Sequence, residues 1–338
     1  MKLVSVIGTR PQYIKVKPFY DFCRERAIDH KIIDTQQHYS YEVSRAIIDD
    51  LGLTIDYSLQ TKSCGEIPFL ANSLLQIEEV MKKENPDFVL IYGDTNSTLV
   101  AALVCYKMKI PFAHVEANLR CGDINVPEEV NRVFADLTSS IRFCSTTKSV
   151  LGPGDVLTGD LEYEILNKFN PQIEYQDYGV MTIHRQANTT NYRLNQIFDF
   201  CAKIPFKIVF PVHHRVLPII KGLSIPSNIE IRKSIPYTEM TENLAKAAFI
   251  ITDSGGINKT APFFGKKALI VRKNTEWTET EEAGYARKCN FSEEDLRWLT
   301  QPMYKRDKRF YLTTADPSCI LYETILRYVN NRKIPNGG

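Results

Sequence analysis

The stretch AAFIITDSGGINKTAPFFGKKALIV, residues 247–271, contains two short apolar runs on either side of a small, polar segment and a helical segment. The apolar runs predict buried strands at Phe249–Thr252 and Ala268–Val271. A helix is predicted between them at Asn258–Phe264, with its start near Ile257. A strand, a helix and a second strand in this order form a βαβ unit, in which the two strands are parallel.

The turn between the first strand and the helix carries Ser254, Gly255 and Gly256. Glycines let a ligand approach the backbone closely, and the N-terminus of a helix directs N–H groups and partial positive charge at that ligand. These properties suit a diphosphate. The chain contains no GxxxxGK[ST] sequence, so the turn is not that of a nucleoside triphosphatase.

The same alternation extends over the 338 residues of the chain. Other strands are predicted at Leu3–Ile7, Lys31–Asp34, Phe88–Tyr92, Pro111–Glu116, Gly179–Ile183, Lys207–Val212 and Ile229–Arg232. Further helices are predicted at Gln12–Arg26, Phe69–Glu84, Tyr192–Ala202, Tyr237–Ala247 and Ser318–Asn330. Buried strands that alternate with helices indicate parallel sheets covered on both faces. The length predicts two domains, with a boundary between Ser149 and Asp177.

Composition excludes several classes of function. The chain has 42 basic and 40 acidic residues, a net charge of +2 and no dominant basic tract, which argues against nucleic-acid binding. Its apolar stretches are much shorter than a membrane span, and the N-terminus enters a predicted strand at once, so we expect a cytoplasmic protein. The eight cysteines form no CxxC pair and no zinc-site spacing, which favours reduced thiols and no metal.

Polar residues follow the predicted strands of the first half. At Gly8-Thr9-Arg10-Pro11, free N–H groups of the next helix and the Arg10 guanidinium suit a phosphate, although a plain turn with a surface arginine fits equally well. Asp94 either caps the next helix or directs its carboxylate into a ligand cleft. Glu116 ends a strand, and Glu128 lies in the first turn of a helix that starts at Pro127. Such a set of carboxylates is costly unless protons move or cations are held there.

In the second half, three of the six histidines follow predicted strands: His184, His213 and His214. A single histidine in such a position is more often structural. This grouping favours ligand contact instead.

The motifs together resemble those of the non-hydrolysing UDP-N-acetylglucosamine 2-epimerase family. The matching segments, in the order of the family, are Gly8-Thr9-Arg10-Pro11-Gln12 with Lys15, Gly93-Asp94-Thr95, His114-Val115-Glu116-Ala117 with Leu119-Arg120, Pro127-Glu128-Glu129 with Asn131-Arg132, His184-Arg185, Pro211-Val212-His213 and Asp253-Ser254-Gly255-Gly256. Thr275-Glu276-Trp277, and Gly159-Asp160 with Tyr163, resemble the subgroup that acts on UDP-2,3-diacetamido-glucuronic acid or other UDP-2-acetamido sugars.

The resemblance implies an α/β protein of GT-B architecture, with two Rossmann-like, doubly wound parallel-sheet domains and the active site in the cleft between them. The implied domains are an N-terminal domain at 1–160, a UDP-binding domain at 161–317 and a C-terminal helix at 318–338 that crosses back to the first domain. The implied reaction eliminates UDP to form a 2-acetamidoglycal and adds it back after reprotonation on the other face, in surface polysaccharide biosynthesis. A homodimer and no cofactor are also implied.

The resemblance assigns the acid–base set to Asp94, Glu116, Glu128 and His184. Acids and bases on both sides of the sugar ring agree with such a reaction. The resemblance also implies substrate contacts at Arg10, Lys15, Gln37, His38, Arg120, Arg132, Arg185, His213, Tyr237, Ser254, Gly255, Gly256, Thr260, Arg272 and Glu276.

Three positions depart from the family pattern: Asn118 stands for glycine, Ala187 for glutamate, and Thr260 for the glutamate that grips the ribose. Threonine is too short to grip the ribose in the same way, so an altered nucleoside contact is expected. Two other functions therefore stay open, a GT-B glycosyltransferase and a non-catalytic or divergent sugar-nucleotide binder.

Overall fold

A computed structural model describes residues 1–37, 41–61, 65–212, 216–303, 305–313 and 315–333. Chain packing divides it into two compact units, Met1–Lys168 with Tyr311–Gly338, and Phe169–Phe310. The functional domain bounds given above stay a prediction.

The first unit contains a parallel sheet of seven strands in the order β3-β2-β1-β4-β5-β6-β7. The strands are β1 Lys2–Ile7, β2 Asp29–Asp34, β3 Tyr57–Ser58, β4 Phe88–Tyr92, β5 Phe112–Val115, β6 Ile141–Cys144 and β7 Asp155–Leu157. The helices are α1 Arg10–Glu25, α2 Tyr41–Leu51, α3 Glu66–Glu84, α4 Asn96–Met108, α5 Pro127–Thr138 and α6 Leu161–Phe169, whose last residue lies in the second unit. Its core includes Val4, Val6, Val89, Ile91 and Phe112.

The second unit contains a parallel sheet of six strands in the order β10-β9-β8-β11-β12-β13. The strands are β8 Tyr178–Thr182, β9 Lys207–Pro211, β10 Ile229–Arg232, β11 Phe249–Thr252, β12 Lys267–Ile270 and β13 Ala286–Lys288. The helices are α7 Asn191–Cys201, α8 Leu217–Ile220, α9 Tyr237–Lys246, α10 Gly255–Phe264, α11 Thr278–Glu282 and α12 Glu293–Thr300. Short 3-10 helices lie at Thr147–Ser149 in the first unit and Gln186–Asn188 in the second.

The last helix, α13 Pro317–Lys333, belongs to the first unit. Tyr322 packs on Phe22 of α1, with ring centroids 5.7 Å apart. The buried Glu164 carboxylate of α6 accepts hydrogen bonds from the Ser318 N–H (2.9 Å) and hydroxyl (2.7 Å), so it supplies an acceptor at the start of α13.

The strand order reverses between β1 and β4 in one unit and between β8 and β11 in the other. In open parallel sheets, ligands bind at such switch points, beyond the carboxyl ends of the strands. The two Rossmann-like, doubly wound parallel sheets predicted from the sequence are confirmed. Within the described part of the chain, none of the helices has the length and apolar character that a membrane crossing requires.

Two details of the predicted elements need correction. Helix α10 begins at Gly255 and not near Ile257, because the Ser254 hydroxyl accepts a hydrogen bond from the Ile257 N–H (3.4 Å) and acts as the N-cap. The segment from Ser149 to Asp177, which has little regular pattern in the sequence, contains β7 and the whole of α6.

Candidate active site

The turn after β1 is packed against neighbouring hydroxyl groups. A Cβ atom at Gly8 would overlap Thr35 Oγ1 and Ser97 Oγ, so only glycine fits there. Gln37, a predicted substrate residue, accepts hydrogen bonds from the Ser97 N–H (2.9 Å) and hydroxyl (2.8 Å). The close contact therefore explains Gly8 without a ligand. The predicted contact at His38 lies outside the described residues.

The Gln12 side chain accepts hydrogen bonds from N–H groups of the same turn. Its side-chain oxygen accepts hydrogen bonds from the Gly8 N–H (2.9 Å) and the Thr9 N–H (3.1 Å), and its side-chain nitrogen donates to the Tyr92 carbonyl (2.7 Å). The Gly8 and Thr9 N–H groups, which precede α1, are therefore not free for a phosphate, and the predicted phosphate contact of the N–H groups of α1 itself stays a prediction. Anion binding at this turn would depend on Arg10, which begins α1.

Glu116 directly follows β5 and forms an ion pair with Lys15 of α1. The φ angle of Glu116 is +67°, in the left-handed region that residues other than glycine rarely adopt. Gly93 follows β4 and lies against this pair, since a Cβ there would be 3.6 Å from both Glu116 Oε2 and Lys15 Nζ. The Glu116 side chain is only 9% exposed. A largely buried ion pair at a strained backbone position is typical of functional sites.

Asp94 forms an ion pair with Arg132 of α5. The residue at the N-cap of α4 is Thr95, so Asp94 does not serve as the cap. Its carboxylate is 37% exposed and its backbone carbonyl accepts a hydrogen bond from the Asn131 side chain (3.0 Å). The structure therefore favours the second of the two roles considered for Asp94, a carboxylate directed outward from the strand end.

The first turn of α5 carries two glutamates with different surroundings. Glu128 is exposed, whereas Glu129 is buried. Burial opposes ionisation of Glu129, but N–H donors of Cys121 and Gly122 and the charge of Arg132 together hold its pKa below the usual value. Glu129 thus fixes the 121–122 loop, and Glu128 is the carboxylate left accessible.

Asp136, about two helical turns further along α5, binds both ends of the loop that carries Glu116. Its carboxylate contacts His114 Nδ1 (2.6 Å), the Asn118 N–H (3.1 Å) and Arg120 Nη1 (2.6 Å). Burial opposes ionisation, but His114 and Arg120 together keep the pKa of Asp136 below its usual value. Arg120, a predicted substrate residue, is thus held by a carboxylate of its own unit.

Asn118 replaces the family glycine without loss of backbone geometry. Its φ angle is +61°, which asparagine tolerates better than most residues. Its side-chain amide donates to Asp155 Oδ2 (3.0 Å) and the Ser149 carbonyl (2.9 Å). This departure from the family pattern is therefore accounted for by the left-handed turn.

In the second unit, the fully buried Asp253 organises the loops after β8 and β11. Its carboxylate accepts hydrogen bonds from the backbone N–H groups of His184 (3.1 Å) and Arg185 (3.0 Å) and from the Asn188 side chain (3.0 Å). His184 Nδ1 also lies 3.1 Å from Asp253 Oδ1, and the His184 side chain is 42% exposed. This arrangement orients an accessible imidazole at the switch point.

The N-terminus of α10 lies beside an Arg272–Glu276 ion pair (2.8 Å). A Cβ at Gly255 would be 2.6 Å from Glu276 Oε1 and 3.4 Å from Arg272 Nη1, so a larger residue would displace this pair. Burial opposes ionisation of Glu276, but Arg272 and, more weakly, Arg185 hold its pKa below the usual value. Arg272 Nη1 is buried and has no hydrogen-bond partner in the described structure. An arginine donor and a helix N-terminus together suit an anion.

Thr260 is buried, and its hydroxyl donates to the Ile257 carbonyl of its own helix (3.2 Å). Asn258 uses its amide nitrogen on Thr275 (3.0 Å), and its amide oxygen accepts from Thr280 (3.0 Å). Both side chains are therefore hydrogen-bonded within the second unit. The predicted contact at His213 lies outside the described residues.

Tyr237 begins α9, and its buried ring packs beside Phe169, with ring centroids 6.1 Å apart. This packing accounts for the residue without a ligand.

The sequence reasoning missed the residues that hold the loops: Gln12, Glu129, Asp136, Asn188 and Asp253. Each is a buried polar residue whose side chain binds backbone or charged groups of a loop that follows a strand. On α5 a signal was present, since Glu129, Arg132 and Asp136 recur at the spacing of one helix face.

Comparisons with known proteins show the family of this chain. A family model described as UDP-N-acetylglucosamine 2-epimerase matches residues 21–152 and 154–315. A UDP-N-acetylglucosamine 2-epimerase homolog of Methanococcus maripaludis is 36% identical over 318 residues, which cover 84% of this chain and 87% of that protein.

The UDP-2,3-diacetamido-2,3-dideoxy-D-glucuronate 2-epimerase of Pseudomonas aeruginosa is 32% identical over 307 residues, with 84% and 87% covered. Among solved structures, the Methanocaldococcus jannaschii UDP-GlcNAc 2-epimerase in complex with UDP-GlcNAc and UDP gives a TM-score of 0.82 at 31% identity. That match covers 97% of this chain and 100% of that chain.

Proposed function

Because the chain belongs to the UDP-N-acetylglucosamine 2-epimerase family, we propose that it inverts C2 of a UDP-2-acetamido sugar, UDP-N-acetylglucosamine or a close relative. The observation that carries this proposal is the pairing of two carboxylates with cations after adjacent strands. Glu116 pairs with Lys15 after β5, and Asp94 pairs with Arg132 after β4. Groups of this kind can take and return protons.

The proposed reaction starts with removal of the C2 proton by a base. The electrons of the C–H bond form a C1=C2 double bond while the C1–O bond breaks and its electron pair leaves with UDP. An acid then returns a proton to C2 from the opposite face, and a UDP oxygen adds to C1. We assign the acid–base set to Asp94, Glu116, Glu128 and His184, with Glu116 as the residue best placed for proton transfer because it is buried and strained.

The leaving UDP needs stabilisation of its negative charge. The N-terminus of α10 and the unpartnered Arg272 nitrogen are suited to this in the second unit. Arg185 adds a further cation beside them, because its Nε atom donates to the Asp253 carbonyl (3.0 Å). Arg10 would supply a cation in the first unit.

Proton NMR of UDP-N-acetylglucosamine and of the 2,3-diacetamido-glucuronate sugar nucleotide in deuterated buffer tests this function. An epimerase incorporates deuterium at C2 and forms the second epimer. A glycosyltransferase requires an acceptor, and a binding protein leaves both sugars unchanged. Complete retention of the C2 proton with every UDP-2-acetamido sugar would overturn the proposal.

A second candidate, a divergent sugar-nucleotide enzyme or binder, is favoured by Thr260 and Asn258. Both side chains are buried and hydrogen-bonded within the second unit, so neither supplies the expected ribose contact. Titration with UDP, GDP, CDP and dTDP separates the candidates. Preference for UDP supports the first, and preference for another nucleotide supports the second.

We further propose a cytoplasmic homodimer in surface polysaccharide biosynthesis, as the family resemblance implies. The outer face of α5 supports the dimer, since Val130, Val133 and Leu137 are 46%, 42% and 82% exposed. Large exposed apolar side chains on one helix face indicate an interaction surface. Light scattering should give twice the chain mass, and Leu137→Glu should give a monomer. A wild-type monomer at micromolar concentration would contradict the proposal.

A further inference from the structure

We propose that Asp136 and His114 are positioning residues for the Glu116 loop, and that proton transfer at C2 depends on them. This inference rests on the proposed epimerase function, in which Glu116 moves a proton. Neither residue is in the acid–base set or the set of substrate contacts.

Asp136 holds the loop from three sides. Its two carboxylate oxygens bind the His114 ring, the Asn118 N–H and the Arg120 guanidinium, which lie before and after Glu116 in the chain. The carboxylate is 5% exposed, so water does not compete with these contacts. A strained φ angle such as that of Glu116 persists only where surrounding contacts fix it.

His114 extends the same network to β4. The ring is fully buried and its Nε2 atom lies 2.6 Å from the Gly93 carbonyl oxygen. A carbonyl only accepts, so Nε2 donates. Nδ1 faces Asp136, which stays ionised beside Arg120. Both ring nitrogens of His114 are thus committed to acceptors, and the ring cannot rotate without breaking one bond.

The hydrogen bonds of Asp136 and His114 reach the proposed proton-transfer residues at the Gly93 carbonyl. Gly93 lies against the Glu116–Lys15 pair, and Asp94 is the next residue. The line from Asp136 through His114 to Gly93 therefore fixes the loops of both Asp94 and Glu116. A displacement of about 1 Å at a reacting group can lower turnover roughly 10²-fold.

A second buried carboxylate allows the positioning of the Glu116 loop to be distinguished from a general contribution to stability. Another buried carboxylate of the first unit, Glu164, binds Ser318 and Lys168, which are far from these loops in the chain. Glu164 is thus a matched control, because its loss should lower stability without a change in the loops after β4 and β5.

The experiment compares His114→Gln with His114→Asn. The glutamine amide nitrogen can reach the position of Nε2 and keep the bond to Gly93, whereas the asparagine nitrogen reaches only the position of Nδ1 and keeps the bond to Asp136. We expect kcat per folded molecule to fall roughly 10²-fold in His114→Asn and only about tenfold in His114→Gln. KM should change less than about threefold in both variants. Asp136→Asn should behave like His114→Asn, and Glu164→Gln should keep the wild-type kcat.

Unchanged kcat in both His114→Asn and Asp136→Asn would overturn the inference, as would an equal loss of kcat in Glu164→Gln. A wild-type enzyme without C2 exchange counts against the proposed function alone. In that case a crystal structure of Asp136→Asn decides the positioning role. Relaxation of Glu116 from positive φ supports it, and an unmoved Glu116 loop contradicts it.

Discussion

The two Rossmann-like units place different groups at the carboxyl ends of their central strands. After β4 and β5, the first unit presents carboxylates paired with cations, Glu116 with Lys15 and Asp94 with Arg132. After β8 and β11, the second unit buries its single central carboxylate, Asp253, under N–H donors of the backbone. The first sheet edge therefore carries carboxylates paired with cations. The second carries a buried carboxylate that holds its loops in place, beside the exposed His184 imidazole.

The largest expected effect is on stability, at Asp253. Asp253→Asn replaces an acceptor by an amide whose NH₂ group faces N–H donors, so we expect the free energy of unfolding to fall by about 3 kcal/mol. Urea denaturation measures this, and the exposed Asp199→Asn on α7 is the control. A stable Asp253→Asn variant with normal UDP affinity would show that the Asp253 carboxylate is not needed to hold the loops of the second unit for UDP binding.

The next effect is on turnover, at Glu116. Glu116→Gln keeps the side-chain shape but removes the base, so we expect C2 exchange to fall roughly 10²-fold or more with UDP affinity retained. Rapid NMR assays and calorimetry measure the two quantities, with Glu78→Gln on the surface of α3 as the control. If the variant instead loses melting temperature but keeps its activity per folded molecule, the Glu116–Lys15 pair is only structural.

Arg10 sharpens the comparison, because it would add a diphosphate contact to the first unit, which carries the paired carboxylates. Arg10→Ala should weaken UDP binding by about 2 kcal/mol, the scale of one charge-assisted contact. Calorimetry at one salt concentration measures this, against Arg45→Ala on the exposed side of α2. Unchanged UDP affinity would leave diphosphate binding to the second unit alone.

The smallest effect at any single step of one pH unit concerns Lys266, a buried residue of the second unit that precedes β12 and so lies away from the carboxyl ends of the strands. Its amino group donates to the Glu174 carbonyl and lies 3.5 Å from the centre of the Tyr175 ring. Burial, and less strongly the charge of Arg306, lower the pKa of Lys266 from 10.5 to about 7. Between these values the unfolded chain holds a proton that the folded chain lacks, so this group makes the wild type more stable as the pH rises.

Lys266→Met should therefore be more stable than the wild type near pH 7, and this advantage should shrink by about 1 kcal/mol per pH unit up to about pH 10. Urea denaturation at several pH values measures it, with the exposed Lys203→Met as the control. C2 exchange per folded molecule should not change. A stability difference that is independent of pH would contradict the assigned titration.

The sequence predicted the repeated strands well because buried parallel strands are continuous apolar runs. Phe88–Tyr92 and Phe249–Thr252 have the predicted bounds. The sequence predicted the site less well, because contacts between residues far apart in the chain determine its structure. The sequence around Gly8 resembles a phosphate-binding turn. A side chain at Gly8 is excluded, however, by the hydroxyl groups of Thr35 and Ser97, which are distant in the sequence and which no local pattern reveals.

Helix α5 shows the same limit for the site. Its sequence alternates polar and apolar faces at helical spacing, and such a pattern predicts that the apolar face is buried. The apolar face, with Val130, Val133 and Leu137, is instead the exposed one, and the charged face is buried. The helical pattern therefore predicts the wrong buried face, and only the family resemblance selected Glu128 over Glu129.

The return of the chain to the first unit has a consequence for biosynthesis. Residues 1–168 emerge from the ribosome first, but α13, which covers Phe22 and receives the Glu164 carboxylate at its start, emerges only after the whole of residues 169–310. At roughly 5–20 residues per second, the nascent first unit waits several seconds or more with this surface uncovered. Slower translation through the second unit would lengthen that exposure without any change in the finished protein.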